Sequence, residues 1–165
     1  MTALVNNNSG SKKESVWDYP RPPRLEQCDK ELKVIFNGIE IAKTRKAFRA
    51  LETSHPPVYY FPPEDVALKY LRKSNKLSYC EWKGPASFYS VKVNGKLAKD
   101  AAWFYPNPTK RFEPLANFIA FYPGLMDACF VNGEKVESQD GNFYGGWITK
   151  DLIGPFKGAP GTLFW

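Results

Sequence analysis

Short runs of alternating apolar and polar residues, separated by Asn-Gly pairs, dominate the middle of this sequence. Alternation with a period of two is typical of β-strands that bury one face. Asn-Gly between two such runs predicts a two-residue hairpin turn, because both residues tolerate the positive φ that the turn needs. The pairs lie at Asn37-Gly38, Asn94-Gly95 and Asn132-Gly133. The pattern therefore predicts a mainly β fold, a single small antiparallel β-domain of about seven to nine strands with one or two short helices.

The runs also indicate where individual strands lie. Prolines on both sides confine residues 58–61 to a short edge strand. Residues 44–52 either extend the strand before them or form a short helical turn, and residues 115–121 form a strand or a short helix. The clearest predicted strands are residues 32–36, 39–43, 77–82, 87–93 and 97–103.

One segment favours a helix. Pro63 suits a first helical turn, and the acidic Glu64 and Asp65 complement the helix dipole there. Val66, Leu68 and Leu71 supply its apolar positions. We expect about two turns, ending before Asn75.

Composition changes along the chain and divides it into four segments. Residues 1–15 are rich in Asn, Ser and Lys and are predicted to be disordered. Residues 16–31 form a Pro-rich extended arm, which Trp17 and Tyr19 anchor on the domain. The β-domain covers residues 32–136, and the Gly/Pro/aromatic tail, residues 137–165, packs on it.

Aromatic residues are the outlier of the composition, at 16% of the chain. Large rings bury much area, while Tyr and Trp also seek polar partners, so the excess suits a ligand pocket, an interface or an aromatic core. The net charge of +6 permits attraction to phosphates. Its tightest basic clusters, residues 43–49 and 69–73, also contain apolar residues. A solvated face explains them better than nucleic-acid binding, which we regard as the weaker interpretation.

Potential metal ligands are sparse and scattered. The chain has three cysteines, Cys28, Cys80 and Cys129, and a single histidine, His55. No Cys-x-x-Cys or Asp-x-Asp-x-Asp-Gly pattern occurs, so we expect neither a zinc site nor a calcium loop, and no cofactor. No apolar run of 18 residues or signal-peptide pattern occurs, so we expect a soluble, cytoplasmic protein without a membrane span.

Several motifs follow one another in the order seen in a known family. They are the pair Thr44-Arg45, Glu52 before the Pro-Val-Tyr-Tyr-Phe-Pro block, the turn of Cys80, Lys83, Gly84 and Ala86, and the block of Trp103, Tyr105 and Pro108. Residues 32–136 thereby resemble the domain of unknown function 427 family. The arm and the tail look like additions of one subgroup.

The resemblance implies a β-tent-like fold. That group includes methionine sulfoxide reductase B and the thalidomide-binding domain of cereblon, and its clefts are often aromatic cages. Many members hold zinc with two Cys-x-x-Cys pairs, which this chain lacks. The family is also catalogued under a nucleotidyltransferase-type name.

The residues themselves argue against nucleotidyl transfer. That reaction needs metal-bridging carboxylates on one strand face and a loop for the triphosphate. Glu64 and Asp65 are adjacent, so in a strand they point to opposite faces. No Asp-x-Asp and no Gly-x-x-x-x-Gly-Lys-Ser/Thr loop is present.

Catalytic candidates nevertheless exist. Cys80 is a candidate nucleophile, because Lys83 lies three residues away and a tight turn would bring the ammonium to the thiol. His55 is a candidate base, and Glu52 is a third catalytic candidate. The alternative is that Cys80, between Tyr79 and Trp82, belongs to the core.

Candidate ligand contacts are mostly aromatic. Trp103 and Tyr105 are two residues apart, so they share one face of a strand. Rings in such a set stack on planar groups or enclose a cation. The predicted contacts are Tyr60, Tyr89, Trp103, Tyr105 and Tyr122, with Lys83 and Arg45 as polar partners.

Three functional hypotheses follow from the sequence. The first is a domain that binds a small planar or anionic molecule in an aromatic pocket. The second is a protein-interaction module that uses the Pro-rich arm and the aromatic tail to contact a protein partner. The third is an enzyme.

Overall fold

The computed structural model describes residues 12–141 and 143–165. Most of the regular structure in that part is β-strand, which confirms the predicted mainly β fold. Within the described residues, ten strands have three or more residues and five have two, so the number of strands exceeds the predicted seven to nine. The strands are β1 (Glu14–Ser15), β2 (Arg24–Cys28), β3 (Leu32–Phe36), β4 (Ile39–Thr44), β5 (Ala47–Leu51), β6 (Val58–Tyr60), β7 (Leu71–Cys80), β8 (Gly84–Val93), β9 (Lys96–Phe104), β10 (Ile119–Phe121), β11 (Ala128–Val131), β12 (Glu134–Lys135), β13 (Glu137–Ser138), β14 (Trp147–Ile148) and β15 (Leu152–Ile153).

The helical segments of the described residues are all 3-10 turns of three to six residues. They span Val16–Asp18, Pro63–Asp65, Leu68–Tyr70, Lys110–Leu115 and Pro123–Leu125.

The strands pair almost entirely in antiparallel fashion. One sheet has the order β10-β9-β8-β7 and a second has the order β2-β5-β6. Phe61 and Ile119 join these two sheets through reciprocal backbone hydrogen bonds of 2.8 and 2.9 Å. A third sheet has the order β12-β11-β3-β4. The short pairs are β13-β14 and the parallel pair β1-β15.

The predicted hairpin turns are confirmed. Asn37-Gly38 connects β3 to β4, Asn94-Gly95 connects β8 to β9, and Asn132-Gly133 connects β11 to β12. Both residues of each pair have positive φ, between 47° and 87°. This is the backbone geometry for which Asn and Gly are favoured.

The helix predicted from Pro63 onward is replaced by two separate 3-10 turns. Between them Val66 is extended and bridges to Ala42. The amide of Ala67 donates to the carbonyl of Ile41 at 2.8 Å. Because this backbone bonds to β4, a continuous helix cannot form.

The two segments left open are also settled. Residues 44–52 contain a separate strand, β5, after β4 ends at Thr44. Residues 115–121 contain the end of a 3-10 turn and then β10.

Strand alternation sorts the apolar residues into two main clusters. Tyr59 and Phe104 belong to the larger one, with the apolar residues of β3, β4 and β11. Tyr60 and Trp103, their chain neighbours, belong to a mainly aromatic cluster. Because successive side chains point to opposite faces, the joined sheets carry the core on one face and the aromatic cluster on the other.

The arm and the tail contact each other. Of the segment predicted to be disordered, residues 1–11 lie outside the described residues, whereas Glu14 and Ser15 form β1 and pair with β15. The Trp17 indole donates to the carbonyl of Pro155 at 2.8 Å. Residues 24–28 of the predicted arm form β2, which pairs along its length with β5.

Candidate functional site

A cavity of about 270 Å³ lies on the aromatic side of the joined sheets. Its walls come from β5, β6, the β7–β8 hairpin and β9, and Gln139 and residues 143–145 of the tail border it as well. Aromatic side chains contribute much of the lining, as the placement of the aromatic cluster on this face requires. They are Tyr60, Tyr79, Trp82, Phe88, Trp103, Tyr105 and Tyr122, with Phe143 and Tyr144 from the tail.

The rings of the cavity hold one another in fixed orientations. Trp103 packs on Tyr122 with ring centroids 4.6 Å apart. Tyr60 meets Trp103 edge to face at 6.4 Å and lies 6.3 Å from Tyr105. Edge-to-face and tilted pairs at these distances are favourable for aromatic groups. The walls are therefore preformed surfaces on which a flat molecule can pack.

Lys83 brings a positive charge to this aromatic site. It is the last residue of the turn between β7 and β8, where Thr109 donates to the carbonyls of Lys83 and Trp82 at 3.0 and 2.7 Å and so fixes the backbone. The side chain is only 8% exposed. Its Nζ lies 3.8 Å from Cys80 Sγ and 5.6 Å from the centroid of the Phe112 ring.

No carboxylate of the described residues pairs with the Lys83 ammonium within 4 Å. Burial lowers the pKa of this group, but attraction to Tyr60, Cys80 and Glu52 outweighs burial, so the net direction is upward. Lys83 is therefore a buried cation at neutral pH, held against a thiol and aromatic rings. A buried charge without a carboxylate in direct contact is costly, which makes this position an attractive one for an anionic group.

His55 lies at the edge of the cavity in a hydrogen-bond network. The partners in this network determine which atoms donate and which accept. Gln139 Oε1 accepts from the amide of Gly146 at 3.0 Å, so the Gln139 amide nitrogen is the donor of that side chain. This nitrogen donates to the carbonyl of Lys157 at 2.7 Å and meets His55 Nδ1 at 3.2 Å. Nδ1 is therefore the acceptor, and the proton of neutral His55 sits on Nε2, 3.7 Å from Glu52 Oε2.

His55 is expected not to titrate between pH 8 and pH 5. Burial lowers the pKa of His55 to about 3, helped by the positive charges of Lys157, Arg21 and Lys83. Because this is the single histidine of the chain, the Hε1 resonance of a tag-free protein is unambiguous. Its chemical shift should stay constant over this range, and a midpoint near the ordinary pKa of about 6.5 would contradict the structure.

The same shift has a consequence for stability. Below about pH 6.5 His55 binds a proton in the unfolded chain but stays neutral in the folded protein. The contribution of His55 therefore destabilises the folded state as pH falls from about 6.5 toward about 3, and it vanishes above that window.

Most of the residues predicted from the sequence border the cavity. The predicted ligand contacts found there are Tyr60, Lys83, Trp103, Tyr105 and Tyr122. The three catalytic candidates, Glu52, His55 and Cys80, are also at its border.

Two predicted contacts lie elsewhere. Tyr89 follows Phe88 in β8 and therefore points to the opposite face, where it stacks on Phe104 at 4.6 Å. Arg45 lies in the connection between β4 and β5, exposed and 3.9 Å from Glu31. The structure does not bring either side chain to the cavity.

Several lining residues were missed because they belong to the tail. Gln139, Phe143, Tyr144 and Lys157 border the cavity, and the Tyr122 hydroxyl donates to the carbonyl of Phe143 at 3.0 Å. The sequence did give one signal, a Gly-rich stretch that is also aromatic at residues 141–147. It indicated anchoring of the tail but not the surface on which the tail packs.

The structure is a small, mainly β domain with a cavity that many aromatic side chains border. The chain belongs to the domain of unknown function (DUF427) family, whose model matches residues 24–132. The match confirms the suspected family, while the β-tent-like fold stays a prediction. The region matched by the family model includes the β-strand walls of the cavity but ends before the tail residues that border the cavity. No curated protein matches the sequence.

Two further observations concern the described residues alone. Residues 12–141 and 143–165 contain no group of three or more His, Cys, Asp or Glu side chains placed to hold a metal ion. None of the helical segments in this part is long and apolar enough to cross a membrane.

Proposed function

We propose that this protein binds a small planar molecule carrying an anionic group, with the ring in the aromatic cavity and the anion at Lys83. The observation that carries the proposal is the buried Lys83 ammonium, which has no carboxylate partner among the described residues and opens onto aromatic walls. An anionic group there would provide the missing counterion. A ring would gain contact with Trp103, Tyr60 and Tyr105.

The size of the cavity limits the ligand. Its volume of about 270 Å³ lies just below the range of about 300–1,000 Å³ that is usual for ligand pockets. We therefore infer that the ligand has either a single ring or two fused rings.

The test uses matched pairs of aromatic carboxylates and the corresponding neutral carboxamides, each with one or two rings. A ligand that binds only the folded state raises the melting temperature. We expect at least one carboxylate to raise the melting temperature of the wild type while its carboxamide does not. Lys83→Met should abolish the effect, since the ammonium is the proposed anion contact.

Lys46→Met is the matched control. Lys46 is exposed and pairs with Glu64 at 3.9 Å, away from the cavity, so this variant should respond as the wild type does. Equal stabilisation of wild type and Lys83→Met by every active carboxylate would show that the anion binds elsewhere.

The protein-interaction hypothesis stays a prediction. The arm and the tail are close together, with the rings of Trp17 and Trp165 5.5 Å apart. Trp17 is still 40% exposed and Phe164 is 99% exposed, so this region retains apolar surface.

A further inference from the structure

We propose that Cys80 is a nucleophile of this cavity and that its substrate class is a planar aryl compound with a conjugated, electrophilic carbonyl group. The inference uses the aromatic walls of the proposed function, but it does not need the anionic ligand. Two independent observations carry it. One is the position of the thiol on the cavity, and the other is the buried ammonium beside it.

The three cysteines have different surroundings. Cys28 and Cys129 are buried in the core, and burial raises the pKa of both thiols. Cys80 is partly buried at the end of β7 and borders the cavity. It is thus the cysteine of the described residues that a molecule in the cavity can reach.

Lys83 supplies what a nucleophilic thiol needs. Its Nζ donates to Cys80 Sγ at 3.8 Å, and it has no oxygen acceptor within hydrogen-bond distance among the described residues. A nearby ammonium stabilises the negative charge of a reactive sulfur. The turn holds both groups in place, because Cys80 pairs with Gly84 across the hairpin and Thr109 fixes the backbone of Lys83.

The proposed step is a conjugate addition. The sulfur of Cys80 forms a bond to the β-carbon of the conjugated carbonyl, and the π electron pair moves to the carbonyl oxygen. The Lys83 ammonium lies where it can stabilise that developing oxyanion. The thiol proton ends on the α-carbon, so the S–H and C=C π bonds are exchanged for S–C and C–H bonds, without an oxidant or a leaving group.

The aromatic walls explain the preference for an aryl group. Trp82 and Phe88 border the cavity together with Cys80, and Trp103 lies across from Phe88 in the β8–β9 pair. A ring packed on them would hold the conjugated carbon near the sulfur. Positioning of this kind raises the rate of a bimolecular reaction.

The first experiment measures the reactivity of each cysteine without a cavity ligand. The full chain is treated with iodoacetamide at pH 7, and modification of each cysteine is followed by peptide mass spectrometry. We expect Cys80 to react about tenfold faster than glutathione, and Cys28 and Cys129 to stay unmodified. Lys83→Met should lower the Cys80 rate about tenfold, and Lys46→Met should not change it.

The second experiment tests the substrate class with N-phenylacrylamide and its saturated counterpart N-phenylpropanamide. Wild type should gain one adduct, on Cys80, with the first compound and none with the second. Trp103→Ala should slow this adduct by about tenfold more than it slows alkylation of Cys80 by iodoacetamide, because only the larger probe uses the ring contact.

The outcomes separate the two proposals. A Cys80 rate equal to that of glutathione, or one that Lys83→Met leaves unchanged, would overturn the nucleophile, whatever the carboxylates show. Fast alkylation without a Cys80 adduct of N-phenylacrylamide would overturn the proposed substrate class. Loss of carboxylate binding, with both cysteine results intact, would count against the anionic ligand only.

Discussion

Replacing Trp147 with alanine will lower the free energy of unfolding by about 3–5 kcal/mol, the usual cost of removing a fully buried large aromatic side chain. Trp147 is 0% exposed and packs on Tyr59 and Phe61 at centroid distances of 5.1 and 6.0 Å. Its indole also donates to the carbonyl of Phe121 at 3.1 Å. Urea unfolding followed by circular dichroism measures the effect.

Phe164→Ala is the matched control, an aromatic residue of the same tail that is 99% exposed. Its effect should stay within about 0.5 kcal/mol, as for other surface substitutions. Similar values for the two variants would mean that the tail does not contribute to the core. A much larger loss of stability in Trp147→Ala than in Phe164→Ala would show that part of the tail belongs to the folded core, although the family match ends at residue 132.

Gly145→Ala is expected to destabilise the protein by about 1–3 kcal/mol, the range for overpacking of a packed site. A Cβ at this position would lie 2.3 Å from Trp103 Cη2 and 3.3 Å from Tyr122 Cδ1. The indole cannot easily give way, because Tyr122 and Tyr60 pack against it. The near-ultraviolet circular dichroism of the aromatic residues should change together with stability.

Gly124→Ala provides the comparison. A Cβ there would approach Ser138 Oγ at 3.3 Å, a neighbour that can move slightly. We expect this variant to be destabilised by less than about 1 kcal/mol and to keep the near-ultraviolet circular dichroism of the wild type. An unchanged spectrum for Gly145→Ala as well would show that the tail is not in close contact with Trp103.

Local chemistry made the hairpins and part of the site predictable. The Asn-Gly pairs determine their turns through the φ values of two residues, so distant contacts have little influence. The shared face of Trp103 and Tyr105 follows from strand geometry alone. The turn of Cys80 and Lys83 is likewise local, since Lys83 is three positions after Cys80.

What the sequence could not give depends on distant contacts. Both faces of β8 carry apolar side chains, so its pattern does not indicate which face carries the cavity, and the prediction of Tyr89 as a cavity contact is wrong. The predicted helix does not form because Val66 pairs instead with Ala42, which lies 24 positions earlier in the chain. The Gln139–His55 contact joins residues 84 positions apart, and a short sequence motif cannot predict a contact over such a separation.

The parallel pair of β1 and β15 sets an order of events during synthesis. The amide of Glu14 donates to the carbonyl of Asp151 at 2.8 Å, so this hydrogen bond cannot form until residue 151 has left the ribosome. Contacts between positions so far apart also carry a large loop-closure cost. The segment around Glu14 is therefore translated long before it can dock, and its docking depends on a stretch translated some 137 residues later.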